Sequence, residues 1–427
     1  MIDRVARAID DQWPAQIEFL QSLVRCPSTL FNEAQIQNLI GAKLGEMGLA
    51  VDRWEIDPGQ LKTLPGYAPV EWSYHGRPNL VGTLSAAGTG GRSLLLNGHI
   101  DVVSAEPVHF WSHDPWGGEV VHDRMYGRGA ADMKAGVAAM IYAVEAIQRC
   151  GIKLRGDLLL NTVIEEECTG AGALATIARG YTADAVLIPE PFGQTALEAQ
   201  VGVLWARISV RGAGAHVRSA DSAVNAVLKS IPLIEAIREL EAEVNRDDLK
   251  PAQFKELPHP INYNIGTFHA GDWPSTVPAE AILEVRLGCY PGEDLEIVKQ
   301  RFRERVHQVA ARDPWLREHQ PEISFYGFHA DGWSTDRDQE IFRVLGEAHR
   351  AVTGNEIAFA TTTATTDVRF FALYKQIPTT CYGPAGDGLH AADEWVDLKS
   401  VNQTTKVIAR FIMTWCGAEE NSNAGSA

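Results

Sequence analysis

Short apolar runs that stop abruptly at a glycine, a histidine or a carboxylate constrain this chain more than any other feature. Residues 93–97 (Ser93-Leu94-Leu95-Leu96-Asn97) lead into Gly98-His99-Ile100-Asp101. Residues 157–164 lead into Glu165-Glu166-Glu167, and residues 185–188 into Pro189-Glu190-Pro191. Unbroken apolar runs of this length fit parallel strands covered on both faces. Helical spacing separates them: Val5, Ile9, Trp13, Ile17, Leu20 and Leu23 mark a first helix, and residues 33–48 a second. Residues 132–149 mark a third, with Gly151 just beyond its end. Strands alternating with helices predict an α/β catalytic domain whose mostly parallel sheet is flanked by helices.

The pattern changes near residue 200. Residues 204–210 (Leu204-Trp205-Ala206-Arg207-Ile208-Ser209-Val210) alternate with period two, as in a strand with one wet face. A helix over 223–244, strands over 262–268 and 281–290, and a helix over 293–311 follow. This is an α+β unit of β-α-β-β-α-β order. The chemistry-bearing motifs resume near residue 327, so the unit is expected as an insertion. A catalytic domain would occupy 1–203 and 326–427, and a dimerisation or lid domain 204–325. A length of 427 residues already exceeds what one core ordinarily holds. The small, polar tail from Glu419 is expected to be disordered.

A formal net charge of −17 argues against nucleic acid or an anionic membrane as partner, since either would repel it. No apolar run approaches the length of a membrane span. Residues 1–7 lack a basic stretch leading into an apolar core, and the six cysteines are scattered without a C-x-x-C pair. A soluble, cytoplasmic protein without a disulfide framework is the expectation.

His99, Asp132, the glutamates 165–167, Glu190 and His390 together form a ligand inventory for a pair of divalent metals. His99 and Asp101, two apart at a strand end, can face the same way, and Asp101 suits the role of holding the second imidazole N–H. Asp132, after the Gly127-Arg128-Gly129 turn, is read as opening a helix, where an Asp also serves as a plain N-cap. Fixed there, its two oxygens could bridge two cations. Three adjacent glutamates repel one another unless water or a cation compensates. One of them can ligate metal while a neighbour acts as general base. His390 ends a glycine-rich loop, with Glu394 in supporting reach. Each residue alone has an ordinary structural explanation, whereas jointly they point to metal-assisted hydrolysis. Zinc, cobalt and manganese all suit carboxylate-rich ligation with two imidazoles.

At these residues the chain resembles the di-zinc deacylase and carboxypeptidase family of acetylornithine deacetylase, succinyl-diaminopimelate desuccinylase, aminoacylase and carboxypeptidase G. The likeness runs from about residue 15 to 412. It rests on Leu95-Leu96-Asn97-Gly98-His99-Ile100-Asp101-Val102-Val103, on Tyr126-Gly127-Arg128-Gly129-Ala130-Ala131-Asp132-Met133-Lys134-Ala135-Gly136, on the glutamate triplet, on Glu190-Pro191 and on Gly383-Pro384 before His390. The resemblance implies that His99 and Glu190 bind one metal, Glu167 and His390 the other, and that Asp132 bridges them. It implies Asp101 orienting His99 and Glu166 as general base. Glu165 stands where the family usually has Asp. His216, in Gly212-Ala213-Gly214-Ala215-His216, would reach a partner subunit's active site and polarise the scissile carbonyl, which implies a homodimer. Arg286 would hold a substrate carboxylate, with Asp367 and Arg369 near the site. The family often has Asp at Glu284, and Asn in place of Ser275-Thr276. The expected function is hydrolysis of an N-acyl amino acid or similar small amide. Dipeptide or carboxypeptide cleavage and removal of an amine from an aromatic ring are alternatives on the same metals. A metal-binding protein without catalysis is the alternative of another class.

Overall fold

The computed structural model describes residues 1–420. The run containing Leu95 and Leu96 lies inside a six-stranded sheet. Across it the order is Ala50–Glu55, Pro78–Leu84, Leu158–Val163, Leu94–His99, Val186–Ile188 and Thr379–Cys381. The last four strands are parallel to one another, and the first two pair antiparallel at one edge. Every residue of Leu94–His99 and Leu158–Val163 is buried, which is why both read as unbroken apolar runs. Helix Ala135–Arg149 is buried along residues 135–147. It packs between the sheet and helices Ile2–Val24 and Leu398–Cys416, so its sequence is apolar nearly all round.

The period-two segment forms strand Gly202–Arg211, with positions 204, 206, 208 and 210 buried and 205, 207 and 209 half-buried. It lies in a four-stranded antiparallel sheet of order Tyr263–Ala270, Glu280–Cys289, Gly202–Arg211 and Glu322–Ala330. Its apolar face joins helices Ala226–Val244 and Leu295–Ala310 in a second core, separate from the first. The strand Glu322–Ala330 continues past residue 325. At the far end of the chain, Ala418–Glu420 pairs with Ile152–Leu154, so Glu419 lies in a strand and not in the expected disordered tail. Residues 421–427 of that tail lie outside the described residues. No helix among the described residues is long and apolar enough to cross a membrane.

Candidate active site

Four neighbouring parallel strands of the central sheet release their chains at their carboxyl ends, where open α/β sheets gather ligands. His99 is the last residue of Leu94–His99, Glu166 and Glu167 follow Leu158–Val163, and Glu190 follows Val186–Ile188. Beyond Thr379–Cys381 the chain turns back through Gly383 to His390. A side chain at residue 383 would meet the Glu190 carbonyl oxygen at 2.2 Å, so only glycine lets these loops pass.

Asp132 arrives from elsewhere. The helix expected from residue 132 starts only at Ala135, and Asp132 has extended, non-helical backbone angles. The cause is Glu394, whose buried carboxylate accepts from the amides of Gly129, Ala131 and Asp132 (3.0 Å each) and from Arg128 (2.6 Å). These amides are satisfied by a side chain, and the Asp132 carboxylate is left to face the cavity.

That carboxylate stands between two His–Glu pairs. One oxygen is 3.1 Å from His99 Nε2, which is 3.7 Å from Glu190. The other is 3.6 Å from His390 Nε2, which is 3.2 Å from Glu167. Ligand atoms of His99, Asp132 and Glu167 all lie within 4.8 Å of one another. Five donors in two sets sharing one carboxylate fit two divalent cations. Electrostatics agree. Burial pushes the carboxyls of Glu166 and Glu190 well above the ordinary range, and neighbouring carboxylates add to it against the pull of His99. The Glu167 charge lifts His390 to about 11. Burial works to lower His99, yet the Glu190 charge and the Asp132 hydrogen bond raise it. So much negative charge in one buried place calls for positive charge among it.

The three adjacent glutamates separate. Glu165 has a left-handed backbone (φ 68) and points away, to Trp72 (2.7 Å), Arg77 (2.6 Å) and Thr169 (2.8 Å). Glu166 and Glu167 line the cavity. The Asp101 carboxylate accepts from their amides at 3.2 and 3.1 Å. It is 3.8 Å from His99 Nδ1, whose bonding partner is instead the Asp101 main-chain oxygen at 2.9 Å. The residue holds His99 as expected, but through its backbone, while its side chain fixes the glutamate loop. Burial lifts that carboxyl to about 7.

The cavity of about 640 Å³ extends from this cluster to the second sheet. Arg286 lines it, donating to the carbonyl oxygens of Asn262 (3.2 Å) and Thr363 (2.8 Å). Asp367 and Arg369 are fully buried behind the wall and do not line the cavity, in contrast to a place beside substrate. Asp367 accepts from Asn97 (3.1 Å), and Arg369 donates to the carbonyls of Thr366 (2.7 Å) and Thr169 (3.1 Å). The wall in front of them is Thr365 and Thr366. His216 is exposed, accepts from the Arg218 amide (3.0 Å) and does not reach its own chain's cavity. Sequence reasoning missed the apolar lining, including Phe192, Trp205, Tyr326 and Phe328. The wet face of 204–210 signalled Trp205 alone among them.

Removing the Glu394 carboxylate tests the support of Asp132. Glu394→Ala leaves three amides without an acceptor and takes the carboxylate from Arg128, itself 2% exposed and then held only by the Ala391 carbonyl. The expected loss is about 3–5 kcal/mol in denaturant unfolding, together with weaker metal retention on dialysis. A variant of unchanged stability and metal content would refute the role.

Residues 95–414 match the family described as Peptidase family M20/M25/M40. The N-formyl-4-amino-5-aminomethyl-2-methylpyrimidine deformylase of Halalkalibacterium halodurans is 27% identical, over 97% of this chain and 98% of that protein. The succinyl-diaminopimelate desuccinylase of Methylorubrum extorquens is 27% identical, over 92% of this chain and 96% of that protein. In fold the chain is similar to human carnosine dipeptidase 1, with a TM-score of 0.78 at 18% identity, over 97% and 100% of the two chains. With the family match covering most of its length, and the acid-rich cluster at the carboxyl ends of its parallel strands, the chain belongs to peptidase family M20/M25/M40 and is a metallohydrolase of amide bonds.

Proposed function

We propose that the protein removes a small acyl group, such as formyl, acetyl or succinyl, from an amine that carries a carboxylate, with an N-acyl amino acid as the type substrate. The observation that carries this reading is Asp132 standing between two His–Glu pairs while Glu166 and Arg286 line the same cavity. The two curated relatives named for deformylation and desuccinylation support the removal of a small acyl group from nitrogen.

Two divalent cations held by His99, Glu190, Asp132, Glu167 and His390 would supply Lewis acidity to the amide carbonyl and to the attacking water. We assign zinc to the site, with cobalt and manganese as the alternatives the donor set accommodates. Glu166 takes the proton of that water and returns it to the amide nitrogen as the C–N bond breaks. Burial favours this shuttle, because a carboxyl raised above its usual range binds a proton readily and can give it back. Arg286 holds the substrate carboxylate, and the Asp101 side chain keeps Glu166 in place through its amide. Asp367 and Arg369 act from behind, supporting the threonine wall.

The unit at 204–325 is assigned to dimerisation and cavity closure. A homodimer is favoured because His216 is exposed and remote from its own cavity, so its proposed role on the scissile carbonyl requires a second copy. The cytoplasm is the assigned compartment. Turnover on N-acyl amino acids, dipeptides and aryl amines, with metal content measured in the same preparation, tests the reading. Release of a carboxylic acid and a free amino acid is expected, and Arg286→Ala should raise KM for carboxylate-bearing substrates roughly 10- to 100-fold. Turnover confined to dipeptides would favour the peptidase alternative. Full metal occupancy with no turnover would favour a binding protein.

A further inference from the structure

The half-buried face of strand Gly202–Arg211 carries Trp205, which lines the cavity. One row of four residues crosses its sheet. Asn264 pairs with Arg286, Arg286 with Trp205, and Trp205 with Tyr326, and all four line the cavity. Directly opposed residues on neighbouring strands have Cβ atoms about 4.5–5.5 Å apart. The row therefore makes Arg286 and Trp205 direct cross-strand neighbours on the wall of one cavity.

The two ends of the row differ in chemistry. Among the described residues no carboxylate pairs with Arg286, whose bonds go to main-chain oxygens. Glu284, two residues along the same strand, is taken by Arg207 (2.9 Å) and Thr267 (2.9 Å). The other end is an aromatic corner: the Trp205 ring centre is 5.7 Å from Tyr326 and 5.2 Å, edge-on, from Phe328. The corner has a built seat. The strand register shifts at Leu204/Trp205, and Gly327 adopts φ +61 where a side chain would meet the indole at 2.4 Å.

We infer that the half of the substrate whose carboxylate reaches Arg286 also carries an aromatic ring, seated in the corner of Trp205, Tyr326 and Phe328. The preferred substrate class is then an N-acylated aromatic amino acid or comparable aryl carboxylate, in place of an aliphatic one. Offset and edge-to-face packing against three rings rewards a flat π-system over an alkyl chain. This inference rests on the amide-hydrolase reading above.

Two measurements test it separately from that reading. The first is the ratio of kcat/KM for N-acetylphenylalanine to that for N-acetylalanine. Wild type should favour the aryl substrate at least tenfold, and Trp205→Leu should lower the ratio by roughly 10- to 100-fold. The second is calorimetric titration of zinc-loaded wild-type protein with 3-phenylpropionate and with hexanoate, where the aryl acid should bind more tightly. An aliphatic preference in wild type, or a ratio untouched by Trp205→Leu in a folded variant, overturns the aromatic corner and leaves amide hydrolysis standing. If no N-acyl amino acid is hydrolysed, the parent reading fails, and the titration alone decides: equal binding of the two acids overturns the inference.

Discussion

Glu166→Gln lowers amide turnover by roughly 10²- to 10⁴-fold, the usual contribution of a general acid–base, and leaves metal content unchanged. The substitution keeps the shape and the amide that donates to Asp101, and removes only the ability to carry a proton. Glu166 lines the cavity but stands outside the two His–Glu pairs that flank Asp132. Glu165→Gln is the informative contrast. Its loss falls on the buried network with Arg77, Trp72 and Thr169, so the expected effect is a lower unfolding midpoint and not a slowed chemical step. Stopped turnover in Glu165→Gln beside near-normal turnover in Glu166→Gln would reverse the assignment within the triplet.

Stripping divalent cations with a chelator brings hydrolysis to background and also destabilises the fold. Asp132, Glu166 and Glu190 are clustered carboxylates at a strand-end site with two imidazoles, and cations among them remove their repulsion. At a free metal concentration a hundredfold above Kd, one binding event stabilises the native state by about 2.7 kcal/mol. Thermal unfolding with and without added zinc should therefore shift by several degrees, and activity should return with zinc, cobalt or manganese. Asp132→Ala should lose both ions together, since each oxygen serves one pair. His390→Ala should weaken mainly the site shared with Glu167. Hydrolysis that persists in metal-free protein contradicts the account.

The strands were legible because their environment is simple. Leu94–His99 and Leu158–Val163 are covered on both faces, and Gly202–Arg211 on one, so burial imposes a pattern that composition alone carries. The site was legible as a set of donors because each sits at a strand end or glycine loop. What stayed hidden depends on distant partners. Asp132 escapes the helix because Glu394, 262 residues away, binds its amide. Glu165 departs from its neighbours through one left-handed residue and a bond to Trp72, 93 residues back. The Asp101 carboxylate turns to the glutamate loop, which no local spacing expresses. Asp367 and Arg369 lie one layer too deep for their motif to reveal. The cavity wall of Asn264, Arg286, Trp205 and Tyr326 follows from the register of four strands, whereas the sequence displays only the alternation of one.

The central claim is that Asp132 bridges two cations. Anomalous diffraction at the zinc edge, from crystals of the zinc-loaded protein, tests it most directly. The account predicts two peaks in each chain, one in reach of His99 and Glu190 and the other of His390 and Glu167, with Asp132 contacting both. A single peak, or a second peak away from Asp132, would contradict it.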